Sequence, residues 1–367
     1  MKKRADGRYQ HTFTYKGKRY SVYGYSKQEC TQKEHEKRLE LENMRESRVN
    51  PTLDEYHERW TEARRGSVKE STLRCQYFQY ESCANVRIST TGLRLGDMKL
   101  KEISPDDIRE VQRELAGGAN RSQTVNDKIA VLSHLFNTAV KERVLDYNPC
   151  APVTPLKRTE TRARDNIHRA LTQEEQEAFF KAAETSFYYD VFRIAVLTGM
   201  RCGEIGALYL SDISGDMIHV ERTITKTETG AYRVGEDTKT WQGKRTIPLN
   251  EDIRAVIEHQ KQINRMLDGD KITSINERIF KAPERGLLMA TPADREIARI
   301  CRRTGIEKFT MHALRATFAT RAIEQGVAPR TLQELLGHAD YSLTMNLYGH
   351  VVDDTKQAAM EQIKIII

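Results

Sequence analysis

The chain has 367 residues, 38% of them hydrophobic and 30% charged, and it carries a formal net charge of +7. This length is more than one core usually organises, so we expect two or three domains. We expect neither a transmembrane nor an exported protein, because no apolar run approaches the roughly 20 residues that span a bilayer and the start, Met1-Lys2-Lys3-Arg4, is polar. Six scattered cysteines without a C-x-x-C pair favour reduced thiols in a cytoplasm over disulfides or a zinc site.

The first 25 residues alternate as β-strands do, and Lys16-Gly17-Lys18 has the composition of a hairpin turn. A charged helix is predicted to follow, with Ser26 as its N-cap and Glu29 as the capping-box partner. Residues 1–25 carry seven basic residues against the single Asp6, interleaved with tyrosines. Because basic side chains release counterions from DNA phosphates, we predict a DNA-binding sheet and helix over residues 1–48. A small adaptor that contacts another protein is the alternative.

A compact helical bundle is predicted over residues 51–150. Its helix starts are a capping box at Thr52, an N-cap at Ser71 and a proline-containing start at Ser104. A long amphipathic helix is predicted from Thr124 to Arg143.

A basic linker is predicted over residues 151–170, after the prolines that end the bundle. Its basic side chains are Lys157, Arg158, Arg162, Arg164 and Arg169. Basic charge at the N-terminal end and again in a connector is the distribution that a chain wrapped around a duplex needs.

The last block, residues 171–367, is predicted to be mixed α/β. It opens at a capping box on Thr172 and continues with a helix that ends at Gly199. Strands are predicted around Met217–Ile224 and Arg245–Leu249, and several helices follow.

Four short motifs in this block carry candidate chemistry. In the segment from Thr198 to Glu204, Arg201 lies just past a glycine helix stop, where a guanidinium suits phosphate oxygens and Glu204 could hold it. His312-Ala-Leu-Arg315 sets two donor groups three residues apart on a predicted helix. Taken singly, the first is more often a surface arginine beside a helix cap, and the second a solvated pair.

The other two motifs follow further along the chain. Leu335-Leu-Gly-His338 sets His338 just after a predicted helix end, and Tyr348 lies in a polar segment without clear periodicity. Taken singly, these residues are more often a capping histidine and a packed aromatic.

In their order and spacing, the four motifs resemble those of the tyrosine recombinases, also called phage integrases. The pattern is an arginine in a T-G-x-R-x-x-E turn, a hairpin lysine, H-x-x-R, L-G-H and a C-terminal tyrosine. The matching residues here are Arg201, Lys239, His312, Arg315, His338 and Tyr348. The lysine is the least secure match, because Lys226 and Lys244 lie in the same region, and the strand Lys244–Leu249 resembles the return strand of the hairpin.

The resemblance implies a mainly α, multidomain fold with three parts. Residues 1–48 would be an arm-type DNA-binding sheet plus helix, residues 51–150 a helical, SAM-like core-binding bundle, and residues 171–367 a mixed α/β catalytic domain with a C-terminal tail. An arm-type domain is typical of phage and conjugative-transposon integrases, and these two origins stay open.

The resemblance also implies the roles of the six residues in DNA cleavage. Tyr348 would be the nucleophile and would form a 3′-phosphotyrosine. Two arginines and His338 would stabilise the charged transition state, His312 would accept the proton of the tyrosine or position it, and Lys239 would protonate the leaving oxygen. The sequence contains no phosphate loop, no H-E-x-x-H motif and no carboxylate cluster, so we expect no metal, ATP or other cofactor.

The expected partners are double-stranded DNA attachment sites, a homotetramer on that DNA and, by resemblance, an excisionase and a DNA-bending host protein. No membrane partner is expected, and the location would be the bacterial cytoplasm, at the nucleoid. The alternatives are a topoisomerase-like enzyme and a DNA-binding protein without catalysis. The isoleucine-rich tail, residues 360–367, would dock on a neighbouring protomer or pack on its own domain.

Overall fold

A computed structural model describes residues 1–118, 120–157, 169–235, 243–268 and 277–337, together with residues 341, 342 and 345. The predicted site residues Lys239, His338 and Tyr348, and the C-terminal tail, lie outside the described residues. The chain divides into two compact units, residues 1–159 and 160–367. Among the described residues, no helix combines the length and the apolar character needed to cross a bilayer.

The first unit begins with a three-stranded antiparallel sheet in the order β1-β2-β3. Its strands are β1 (Lys2–Lys3), β2 (Tyr9–Tyr15) and β3 (Lys18–Gly24), followed by helix α1 (Lys27–Val49). Lys16 and Gly17 form the turn between β2 and β3 with φ of 47° and 82°. Two left-handed residues match the natural twist of a hairpin, as the sequence predicted.

One face of this sheet is buried and the other is exposed. Phe13 and Val22 alternate inwards and are buried, together with Cys30 of α1. The predicted start of α1 is confirmed, since the Ser26 hydroxyl accepts a hydrogen bond from the Glu29 N–H at 3.0 Å. The sheet therefore has a small core of its own.

Four helices build the bundle of the first unit. They are α2 (Leu53–Arg64), α3 (Glu70–Ala84), α4 (Pro105–Gly117) and α5 (Ser122–Lys141). The predicted capping box at Thr52 is formed, and the predicted proline-containing start at Ser104 is confirmed, where the structure also shows a capping box with Asp107. The predicted N-cap Ser71 is wrong, because the extended residue before α3 is Lys69, and Ser71 lies within the first turn.

The first residues of the predicted linker pack on the bundle. Val153 is buried in the bundle core. The Asn126 side chain donates to the Leu156 carbonyl and accepts from its N–H, both at 2.9 Å. Residues 151–157 therefore continue the first unit, and residues 158–168 lie outside the described residues.

The second unit joins small sheets to a helical core. Its helices are α6 (Gln173–Ala183), α7 (Tyr189–Thr198), α8 (Cys202–Gly206), α9 (Glu251–Asp268), α10 (Ala290–Thr304), α11 (Met311–Glu324) and α12 (Pro329–Leu336). Its strands are β4 (Ile213–Ser214), β5 (Met217–Val220), β6 (Thr223–Lys226), β7 (Tyr232–Gly235) and β8 (Arg245–Pro248). Helix α7 packs against α9 and α11, and Phe179, Phe192 and Phe309 are fully buried between the helices. The mainly helical fold class with small sheets is confirmed.

The strand pairing differs from the prediction. The region predicted as one strand around Met217–Ile224 forms two strands, β5 and β6, which belong to different sheets. Strand β7 pairs with β6, and β8 pairs with β5 with Ile218 opposite Ile247. Both isoleucines are buried, so the hydrophobic core selects this pairing. Because Lys239 lies outside the described residues, the interpretation of β8 as the return strand of the lysine hairpin stays a prediction.

Candidate active site

The turn that carries Arg201 depends on a glycine. Helix α7 ends at Thr198, and Gly199 follows in the left-handed region with φ of 65°. A Cβ at this position would lie 2.5 Å from the Phe318 ring and 2.9 Å from a methyl group of Leu336. Glycine therefore satisfies both the backbone conformation and the close packing.

Arg201 and Glu204 hold each other across the start of α8. The Glu204 carboxylate accepts from the Arg201 guanidinium at 2.8 Å and from its main-chain N–H at 2.9 Å. The Glu204 side chain is 3% exposed, whereas that of Arg201 is 40% exposed. The predicted partnership is confirmed, and it leaves the guanidinium accessible to an anion.

Arg315 lies deeper and connects two motif segments. Its guanidinium donates to the Gly199 carbonyl and to the Leu336 carbonyl, both at 2.7 Å. Burial, together with repulsion by the charge of Arg201, lowers the pKa of Arg315 to about 9. The group is still a cation at neutral pH, so this part of the site is strongly positive.

His312 lies in the first turn of α11, one turn before Arg315, and is exposed. The Asp294 carboxylate of α10 accepts a hydrogen bond from the Met311 N–H at 2.7 Å, which fixes the N-terminus of α11. The two residues of the H-x-x-R motif thus differ in exposure. The histidine can meet a substrate, while the arginine braces the turn.

The strand pair β6 and β7 packs closely on α8. A Cβ on Gly206 would lie 2.6 Å from a methyl group of Ile224 in β6 and 2.8 Å from the Leu288 carbonyl. Lys226 ends β6, and its ammonium lies 5.0 Å from the centre of the Tyr232 ring. Lys239 follows β7 along the chain, and its identification as the hairpin lysine stays a prediction.

The end of α12 is also described. Helix α12 ends at Leu336, and Gly337 is left-handed with φ of 63°, as the L-G-H motif predicted. His338 is the next residue in the chain. The structure therefore brings together Arg201, Arg315 and the end of α12, just before His338 in the chain, while the positions of Lys239, His338 and Tyr348 stay untested.

Sequence reasoning missed one residue of this network, Arg245. Its guanidinium donates to Glu204 at 2.8 Å and to the Leu335 carbonyl at 2.6 Å. The available signal was alternation, because Arg245 lies two residues before the buried Ile247 in a strand. A basic residue on the apolar face of a strand indicates a buried partner.

The arrangement suits a phosphate that gains negative charge. Three guanidinium groups surround the Gly199 turn and the end of α12, and one ionised carboxylate orients two of them. Within the described ranges, no group of three or more His, Cys, Asp or Glu side chains is arranged to hold a metal ion. Oriented donors of this kind stabilise charge that develops in a transition state.

Comparisons with known proteins identify the family of this chain. Residues 169–355 match the phage integrase family, and residues 52–116 match the phage integrase, N-terminal SAM-like domain. The chain is 26% identical over 288 residues to the transposase from transposon Tn916 of Enterococcus faecalis, covering 74% of this chain and 69% of that protein. It is 27% identical over 369 residues to a tyrosine recombinase XerC-like protein of Caldanaerobacter subterraneus subsp. tengcongensis, covering 94% and 90%.

Solved structures share the fold. The Tn1549 transposon integrase, in complex with a circular intermediate DNA, matches with a TM-score of 0.68 at 22% identity, over 85% of this chain and 99% of that one. A lambda integrase tetramer bound to a Holliday junction matches with a TM-score of 0.59 at 21% identity, over 92% and 94%. Since the family match spans just over half of its length, this chain belongs to the phage integrase family and is a tyrosine site-specific recombinase.

Proposed function

We propose that this enzyme cuts and rejoins double-stranded DNA at the attachment sites of a mobile element, through a covalent bond to Tyr348. The observation that carries the proposal is the pair Arg201, two residues after Gly199, and Arg315, which donates to the Gly199 carbonyl. The Arg201 guanidinium is accessible and oriented by Glu204, and Arg315 is buried. Such a pair of oriented guanidinium groups suits the binding of a scissile phosphate, whereas scattered basic side chains on a surface are not fixed in direction.

The proposed cleavage step transfers one phosphodiester bond. The Tyr348 oxygen attacks the phosphorus and gives its proton to His312, since a free tyrosine with a pKa of about 10 needs a base. The bond to the 5′-oxygen breaks, and Lys239 protonates that oxygen, which leaves a 3′-phosphotyrosine and a 5′-hydroxyl. Arg201, Arg315 and His338 stabilise the five-coordinate phosphorus.

Rejoining runs the same step in reverse. The 5′-hydroxyl of the exchanged strand attacks the phosphotyrosine and releases the tyrosine. Because one phosphate ester replaces another of similar energy, the cycle consumes no nucleotide.

We propose the three-part domain organisation for DNA binding as well. Residues 1–48 act as the arm-type domain, and the exposed face of their sheet supports this role. Arg4 and Arg8 both lie over the Tyr23 ring, with the guanidinium carbons 5.5 and 5.9 Å from its centre. Cations beside polar strand residues suit a phosphate backbone and the edge of a groove. Residues 51–150 act as the core-binding bundle and residues 171–367 as the catalytic domain.

The proposed assembly is a homotetramer on DNA in the bacterial cytoplasm, with four copies of the site acting on two duplexes. The support is the shared fold with the lambda integrase tetramer that is bound to a Holliday junction. An excisionase and a host DNA-bending protein are proposed as further partners that bias the direction of the reaction.

The test is covalent trapping on a nicked suicide duplex that carries the core site. The wild-type protein forms a protein–DNA adduct, and Tyr348→Phe binds the duplex equally well but forms none, because only the attacking oxygen is lost. Tyr341→Phe serves as the control, since this exposed tyrosine lies seven residues upstream. Adducts in Tyr348→Phe at the wild-type level would refute the nucleophile, and a wild-type protein that binds without any adduct would favour a non-catalytic DNA-binding protein.

A further inference from the structure

Arg245 is a buried cation that the six-residue catalytic pattern does not include. It is the first residue of β8, and its side chain is 4% exposed. Its guanidinium donates from Nη2 to Glu204 Oε2 at 2.8 Å, from Nε to the Leu335 carbonyl at 2.6 Å and from Nη1 to the Gly243 carbonyl at 3.3 Å. One side chain therefore contacts α8, α12 and the chain that enters β8.

Stability alone is a poor reason for this arrangement. Removing a cation from water is costly, and an apolar side chain of similar volume often replaces a buried ion pair without loss. Arg245 shares its strand face with the fully apolar Ile247, where an aliphatic side chain would pack well. What an aliphatic side chain cannot supply is a rigid fork of donors.

The guanidinium of Arg245 first affects the orientation of Arg201. Glu204 Oε1 accepts from the Arg201 guanidinium, whereas Oε2 accepts from both the Arg201 N–H and Arg245. Without the donor from β8, Oε2 keeps only the bond from the Arg201 N–H, and the carboxylate is held less firmly against the guanidinium of Arg201. Arg245 thus fixes the direction in which the accessible cation of the site points.

The second effect falls on α12. The last carbonyls of a helix lack partners within the helix. Here the Leu335 carbonyl accepts from Arg245, and the Leu336 carbonyl accepts from Arg315. These bonds fix the point at which the chain leaves α12, two residues before His338, and the same chain continues to Tyr348.

We propose that Arg245 is a positioning residue for DNA cleavage, which orients Arg201 through Glu204 and sets the exit of the chain from α12 towards His338 and Tyr348. The inference rests on the proposed function and adds to it a residue outside the six-residue pattern, which acts through Glu204 and the end of α12. A lysine cannot replace it fully, because one ammonium cannot match the separate directions of the carboxylate and the carbonyl.

The test compares Arg245→Gln and Arg245→Lys with a matched control, Arg321→Gln. Arg321 likewise joins a carboxylate, that of Glu324, to a main-chain carbonyl, that of Leu171. Each variant is measured for its melting temperature, its affinity for the core-site duplex and its single-turnover rate of adduct formation. We expect Arg245→Gln to slow cleavage about 100-fold, the scale of losing one oriented donor, with duplex affinity close to that of the wild type. Arg245→Lys should be intermediate and Arg321→Gln close to the wild type.

A second substrate separates positioning of Arg201 from an effect on the nearby Lys239. A duplex with sulfur in place of the scissile 5′-oxygen has a leaving group that departs without a proton, so it rescues the loss of a general acid. We expect it to rescue Lys239→Ala but not Arg245→Gln. Equal rescue of both variants would overturn the proposal, since Arg245 would then act through the lysine segment.

The remaining outcomes are also decisive. If Arg245→Gln melts at a much lower temperature than the wild type, its cleavage rate does not separate positioning from folding. The test then rests on Arg245→Lys, and a wild-type cleavage rate in Arg245→Lys would overturn the proposal. Parallel losses of affinity and cleavage would identify Arg245 as a structural residue only. If the wild-type enzyme forms adducts and Arg245→Gln forms them at the same rate, only this inference is refuted. If the wild-type enzyme forms no adducts, the proposed function is refuted as well.

Discussion

Glu204 accepts two hydrogen bonds from Arg201, one from the main-chain N–H at 2.9 Å and one from the guanidinium at 2.8 Å. Burial by itself raises the pKa of Glu204, but the charge of Arg245 and its hydrogen bond, with a contribution from Arg201, outweigh burial and lower it. The carboxylate is therefore ionised at neutral pH and holds Arg201 in one orientation. Arg201 and Arg315, the two arginines of the motifs, are therefore held in different ways, so their substitutions should have different effects on stability.

Arg201→Ala and Arg315→Ala should differ in their effect on stability. Both should reduce the rate of adduct formation by roughly 10²–10³, because each removes oriented positive charge. Arg201 is 40% exposed, so its loss should change the melting temperature little, whereas loss of the buried Arg315 leaves the carbonyls of Gly199 and Leu336 unpaired. Single-turnover cleavage and thermal unfolding of both variants check this. Equal melting temperatures would contradict the assignment of Arg315 as a brace of the site.

Gly206→Ala should disturb the docking of β6 on α8. The new methyl group would lie within 3 Å of the Leu288 carbonyl and of Ile224, so a backbone must move. The control is Gly117→Ala at the end of α4, where a Cβ meets nothing within 4 Å and the helix gains up to about 1 kcal/mol. Urea unfolding of both variants and cleavage assays measure the effects. A Gly206→Ala variant as stable and active as the wild type would show that the contact is dispensable.

The stability of the bundle should fall in mild acid because of His57. This ring is buried and stacks on Tyr80 at 3.6 Å between centroids, and burial lowers the pKa of His57 to about 4. The unfolded chain has a higher histidine pKa, near 6.5, so it binds the proton first. Stability is therefore complete above pH 6.5 and is lost as the pH falls towards 4, by on the order of 2–3 kcal/mol.

Urea unfolding, followed by the fluorescence of Trp60 in a Trp241→Phe background, measures this loss, since the chain has two tryptophans. His57→Phe keeps an aromatic ring at the position and removes the titrating group. Its stability between pH 6.5 and pH 4 should decline less than that of the parent. Identical pH profiles would rule out His57 as the cause.

Deleting residues 1–48 should separate cleavage from recombination. The sheet has its own buried residues, Phe13, Val22 and Cys30, whereas the core of the bundle begins at Leu53. We expect the truncated protein to form adducts with short core-site duplexes at the rate of the full chain, and to integrate poorly on full attachment sites. Full activity on the long substrates would refute an arm-type role for the sheet.

The sequence by itself determined the features whose causes are local. The capping boxes at Thr52 and Thr172, the proline-containing helix start at Ser104 and the helix stop at Gly199 were predicted and are present. Each depends on hydrogen bonds or a backbone angle within about four residues, so residues that are neighbours in the sequence are enough to predict it. The order of the motifs in the sequence also indicated the family.

Only the tertiary structure decided which distant segments meet. Strand β8 pairs with β5 rather than with β7, and Arg245 reaches Glu204, 41 residues away, and Leu335, 90 residues away. Alternation in a strand reports which side chains are buried, but not which partner strand or helix buries them. Those partners are selected by the packing of one shared core and by the need of buried charges for acceptors, and both depend on the whole chain at once.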